Sequence, residues 1–319
     1  VLKRFSIILL IVILGLSVVG AASASGDGPT DPTAPVSGGM GGVLRPHDQV
    51  GSVSSFAFIP VTYHGGPVMH TTKVYTIYWN PAGYTMASSY RTLINRYFVD
   101  VAAASGTTSN VYYSDTQYYG PGAVHILYSS TYGGTYNDTY PFPAANGCAL
   151  ASGMTKCLSD PQLRVEINRV IALNHWVANA STMFFIFTPN HVRSCFGSSC
   201  SFTNYCAYHS YFGNVIYANQ PYAYGVPSAC GINYATSTPP NGFAVDSTLS
   251  VASHEHKEAI SDPHLNAWFD SSGNETSDKC AWTFGTITAG HNQLINGHYY
   301  ILQRAWSNYL SHGCVLVNK

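Results

Sequence analysis

Charged side chains are scarce in this chain. Asp, Glu, Lys and Arg make up 9 % of 319 residues, and only four residues are glutamate. With 14 Lys and Arg against 15 Asp and Glu there is no basic patch of the kind that meets nucleic-acid phosphates, so no nucleic-acid partner is expected. Long apolar runs are missing after the first twenty residues, which excludes a later membrane-spanning helix. There is no Gly-x-Ser-x-Gly, and Ser228 lacks the strand, elbow and helix that a nucleophilic serine needs. No Cys-x-x-Cys pair occurs either, which weakens a zinc cluster at Cys195, Cys200 and Cys206.

What is present begins with an export signature. Lys3 and Arg4 precede an apolar run over 7–19 and the small residues Ala22, Ser23 and Ala24, so residues 1–24 read as a signal peptide. Its apolar run is shorter than the roughly 18 residues a spanning helix needs, and we expect a secreted, extracellular protein with no membrane association after cleavage. The eight cysteines are an even set, which in an exported chain points to disulfides. Eight cysteines allow about 105 pairings, which sequence does not settle, and proximity suggests 148 with 157, 195 with 200, 206 with 230 and 280 with 314. The 24 tyrosines suit strands better than they argue for a carbohydrate surface.

Residues 25–55 are rich in Gly, Pro, Ser and Thr and read as a flexible leader. Residues 56–319 then form one domain. KVYTIYW over 73–79 is a buried strand, and 88–104 has helical periodicity. Strands are expected over 111–117 and 123–129, and a helix opened by Asp160-Pro161 runs to about 178 with Leu173 or His175 facing inward. MFFIFT over 183–188 is an apolar strand, and 205–209 and 214–217 form a short pair. A helix over 247–260 is stopped by Asp262-Pro263. The order implies an α/β fold, by analogy a single zincin-like domain with a mixed sheet over an active-site helix and a disulfide-tied C-terminal part.

Three of the four glutamates fall at 255, 258 and 275, and two of them sit in Ser253-His254-Glu255-His256-Lys257-Glu258. On a helix His254 and Glu258 are one turn apart on one face, where they would hold a metal, while Glu255 takes a proton from its water as general base. The usual second histidine is replaced by Glu258; carboxylate oxygen also binds zinc, though it admits harder ions, so Mn²⁺ or Ca²⁺ are alternatives to Zn²⁺. Candidates for the third ligand are His264, ten positions after His254, and Glu275 or Asp278, in a segment that Cys280 would tie back to the core. Asp262 reads as a helix stop. The paired acids Glu255 and Glu258 lie too close on one helix to flank a sugar as glycosidase carboxylates do.

Tyr63-His64-Gly65-Gly66-Pro67-Val68, the VYTIYW strand, Cys206-Ala207-Tyr208-His209-Ser210, the His254-Glu255-x-x-Glu258 run with Asp262-Pro263, Asn266-Ala267-Trp268, Glu275 and Asp278-x-Cys280 together make an ordered set. In this set the chain resembles the EXORDIUM, or phosphate-induced protein, family over roughly 60–314. The resemblance implies an extracellular protein with no firmly assigned reaction, and it favours Glu275 and Asp278 over His264, since the family pattern does not require a histidine there. Two functions follow. One is a secreted zinc metallopeptidase acting on a peptide or protein substrate, with His209 as an electrophilic stabiliser. The other is a non-catalytic extracellular interaction or cell-wall-associated protein with a structural metal site.

Overall fold

The computed structural model describes residues 42–50, 59–225, 227–309 and 313–317. The expected signal peptide lies outside these residues. The fold is mixed α/β around a six-stranded sheet: β1 (Val43–Leu44), β2 (Thr72–Trp79), β3 (Ser130–Asp138), β4 (Thr182–Phe187), β5 (Ala207–Phe212) and β6 (Val215–Gln220), in the order β1-β5-β6-β4-β2-β3. Strands β6, β4, β2 and β3 run parallel, while β5 and β1 add antiparallel at one edge.

Side chains of successive strand residues leave on opposite faces, and here both faces are covered. Tyr75, Ile77 and Trp79 of β2 with Phe184 and Ile186 of β4 pack against Leu163, Ile167 and Val170 of helix α2 (Asp160–Leu173). Val74 and Tyr78 with Met183, Phe185 and Phe187 pack on the other face against Ile94, Tyr97, Phe98 and Val101 of helix α1 (Ser88–Ala103) and against Leu249 and Ala252 of helix α3 (Phe243–Ser261). Double coverage is why KVYTIYW and MFFIFT read as apolar runs rather than as alternating ones.

Helix α2 ends earlier than expected: Asn174 caps it and His175 takes a left-handed backbone, φ 53°. Leu173 consequently points to solvent, 52 % exposed, and not inward. The two strands expected before it do not form. Residues Val111–Gln117 are a 3-10 helix, because the Asn110 side chain accepts from the Tyr112 amide while Ser114, Thr116 and Gln117 each donate to the carbonyl three residues back. Such local bonds compete with a sheet ladder. Over 123–129 the chain makes a single bridge, Tyr119 to His125, and the strand starts at Ser130 instead. Its two central glycines look like breakers in sequence, but the ring of Tyr75 lies where a Cβ at Gly133 would sit. The 205–209 and 214–217 pair appears as the antiparallel β5 and β6, longer than expected.

The four disulfides are the four suggested by proximity. They account for Cys195, Cys200 and Cys206, which therefore form no zinc cluster. The region read as a flexible leader is structured in part, since β1 pairs with β5, Leu44 is fully buried and Trp282 donates to the Arg45 carbonyl. Among the described residues no helix is long and apolar enough to cross a membrane.

Candidate metal centre

Helix α3 places the site. Every residue from Val245 to Ser261 is buried, including five consecutive polar side chains, His254 to Glu258. Burying them costs free energy unless each finds a partner, and each leaves the helix in its own direction. His254 and Glu258, one turn apart, face the segment that carries Asp278: the His254 ring nitrogen Nε2 is 3.2 Å from Glu258 Oε1 and 3.5 Å from Asp278 Oδ1. Glu255 points to the sheet, where its Oε2 is 3.5 Å from Nδ1 of His209 on β5. His256 turns the opposite way, among Phe98, Tyr112 and Phe185, with Nδ1 3.0 Å from the Tyr112 hydroxyl. Lys257 donates to the Gln303 carbonyl.

The downstream segment is pinned against the helix end. Lys279 Nζ meets Asp270 at 3.0 Å, Cys280 is bridged to Cys314, and the Trp306 amide bonds the Thr276 carbonyl. The amides of Ser277 and Asp278 both donate to Glu258 Oε1, at 3.1 and 2.7 Å, which fixes that carboxylate and leaves its other oxygen free of protein partners. Glu275 approaches His209, 3.7 Å from Nε2. Asp262 caps the helix as expected, Oδ1 accepting from the Asn266 and Ala267 amides, and its carbonyl lies 3.1 Å from His209 Nε2.

Two sets of side chains thus bring ligand atoms within 4.8 Å of one another: His254, Glu258 and Asp278, and His209, Glu258 and Glu275. His264 is not brought into either; its ring stacks on Tyr211 at 4.5 Å. The role of His209 as a neighbour of the carboxylates, rather than as a distant stabiliser, has no sequence signal beyond its place in an alternating strand, because 45 residues separate it from His254. The group is closed over. His209, His254, Glu255 and Glu258 are fully buried, and the Asp278 side chain, 18 % exposed, is the member nearest solvent. Over His209 lies Gly42, whose φ of +56° and lack of a side chain let its backbone come so near that a Cβ would sit 1.9 Å from Nδ1.

Crowded carboxylates disturb each other's protonation. Burial, then the charge of Glu258 and other neighbours, pushes Glu275 well above the usual carboxylate range, and burial lifts Glu255 to about 7 against the pull of His209 and His254. Burial alone would lower His254, yet Glu258 and Asp278 outweigh it and raise the imidazole to about 10. Glu258 goes down instead, since His254, His209 and the Asp278 amide stabilise its charge by more than burial costs. Comparison with protein-family models, curated proteins and solved structures finds no match.

His256 supplies a test of the helix orientation. Burial, then Lys257, lowers its pKa to about 3 from the 6.5 of an open chain. The unfolded chain therefore takes up a proton first as pH falls, and stability present above pH 6.5 is lost on the way down to 3, on the order of 5 kcal/mol at the limit. Urea midpoints of the metal-loaded protein between pH 7 and 4 should fall less steeply in His256→Gln than in wild type. Parallel profiles would contradict the burial of this ring.

Proposed function

We propose that this protein is a secreted, metal-dependent hydrolase of the peptidase type, with zinc held by His254, Glu258 and Asp278 and with Glu255 as general base. The observation that carries this reading is the set of fully buried atoms with no hydrogen-bond partner: both ring nitrogens of His254, Oε2 of Glu258, and both carboxylate oxygens of Glu255 and of Glu275. Buried polar atoms are nearly always paired, and imidazoles facing carboxylates in this way have the donor chemistry of a divalent cation site. When bound, zinc polarises a carbonyl and brings the pKa of its water to about 7. The chain's own contribution is positional. The Ser277 and Asp278 amides hold Glu258 still, and Glu255, with a pKa near neutrality, is matched to accept a proton at ordinary pH. A peptide would approach from the side of Asp278.

The closure of the group favours a second reading, an extracellular, EXORDIUM-like interaction protein in which the ion is structural and cell-wall material is the partner. Metal content of the purified, disulfide-intact protein, measured by mass spectrometry for wild type and His254→Ala, tests the first. Stoichiometric zinc in wild type, lost in the variant, is expected. Calcium alone would replace the hydrolase with the structural reading, and absence of metal from both proteins would overturn the site.

A further inference from the structure

The two ligand sets have Glu258 in common, and from this we infer that the centre takes two divalent cations bridged by Glu258, one on the His254 and Asp278 side and one on the His209 and Glu275 side. The inference deepens the metal reading above and rests on it. The bridge would run through Oε2 of Glu258, which is buried and without a protein partner, while Oε1 accepts two backbone amides that hold the carboxylate in place. Glu275 is 3 % exposed, and neither of its oxygens has a hydrogen-bond partner, so it is aimed into the second position with nothing in the protein to satisfy it. Nε2 of His209 lies 3.7 Å from Glu275 Oε1, on the side where the second cation would sit.

Charge points the same way. Glu255, Glu258, Asp262, Glu275 and Asp278 place five carboxylates around two imidazoles. A ligating imidazole is neutral, so with all five carboxylates ionised one divalent ion leaves most of the negative charge unbalanced, whereas two nearly cancel it. Shared carboxylates and mixed nitrogen and oxygen donors suit zinc or manganese, and pairs of such ions in hydrolytic sites stand roughly 3.5–4 Å apart.

The full, disulfide-intact chain, stripped with chelator and titrated with Mn²⁺ or Zn²⁺, should bind about two ions by native mass spectrometry. With two equivalents of Mn²⁺, its electron paramagnetic resonance spectrum should be that of a spin-coupled pair. Glu275→Gln should bind one ion and show an uncoupled Mn²⁺ spectrum, with thermal melting used to confirm that it folds. If it does not fold, the wild-type spectrum alone decides. One ion in wild type, or two that are uncoupled, overturns the pair and leaves a single-metal site intact. No ion at all overturns the metal reading with it.

Discussion

Glu255→Gln is expected to retain its metal and to lose hydrolysis by on the order of 10²–10⁴-fold or more, the range lost when a positioned general base is removed. Glu255 belongs to neither ligand set, so the amide should leave metal content unchanged. The two side chains have nearly the same shape, and both carboxylate oxygens lack a hydrogen-bond partner in the folded chain. What the change removes is the capacity to take a proton. Turnover of a peptide library, measured beside metal content in the same preparations, separates these effects. Wild-type activity should rise with pH as Glu255 loses its proton, and that limb should be absent from the variant. Undiminished turnover in Glu255→Gln would end the assignment of the base, and turnover lost together with the metal would make Glu255 a ligand.

Metal removal is expected to reverse the sign of the protein's pH dependence. Without an ion, Glu275 and Glu255 have folded pKa values above the 4.5 of an open chain, so the folded form holds protons that the unfolded form releases. Stability is then full below about pH 4.5 and is lost as pH rises through about 7, by on the order of 3 kcal/mol from Glu255 alone. His254 continues the trend, because its raised pKa gives stability that is present below 6.5 and lost towards 10. Glu258, lowered, works in the opposite direction, but its contribution is already complete above its open-chain value of 4.5. In the loaded protein protons compete with the ion for the same atoms, so stabilisation by metal grows with pH. Melting curves between pH 5 and 8 should therefore diverge, with chelator-treated protein falling and metal-loaded protein holding or rising. Superimposable curves would show that no ion is coupled to this cluster.

Much of the architecture is legible in the sequence because it depends on local periodicity. The doubly covered strands are continuous apolar runs, helix α1 repeats its large apolar residues every three or four positions, and Pro161 opens α2. Where local side-chain bonds outweighed an alternating pattern, as at Val111–Gln117, the period misled. Strand β3 was hidden for the opposite reason, since its glycines answer to a tyrosine ring on a strand 58 residues away in sequence.

At the site, the sequence by itself determined that His254 and Glu258 share a helix face and that acids follow at 275 and 278. These follow from helical spacing and chain connectivity, which need no knowledge of packing. Only the tertiary structure decided that β5 lies against α3 so that His209 joins the carboxylates, that His256 turns into an aromatic cluster, that His264 stacks on Tyr211, and that Gly42 closes over the ring of His209. Each is a contact between segments distant in sequence. Such contacts are selected by how sheet and helices bury their apolar faces together, and no single stretch of the chain records that choice.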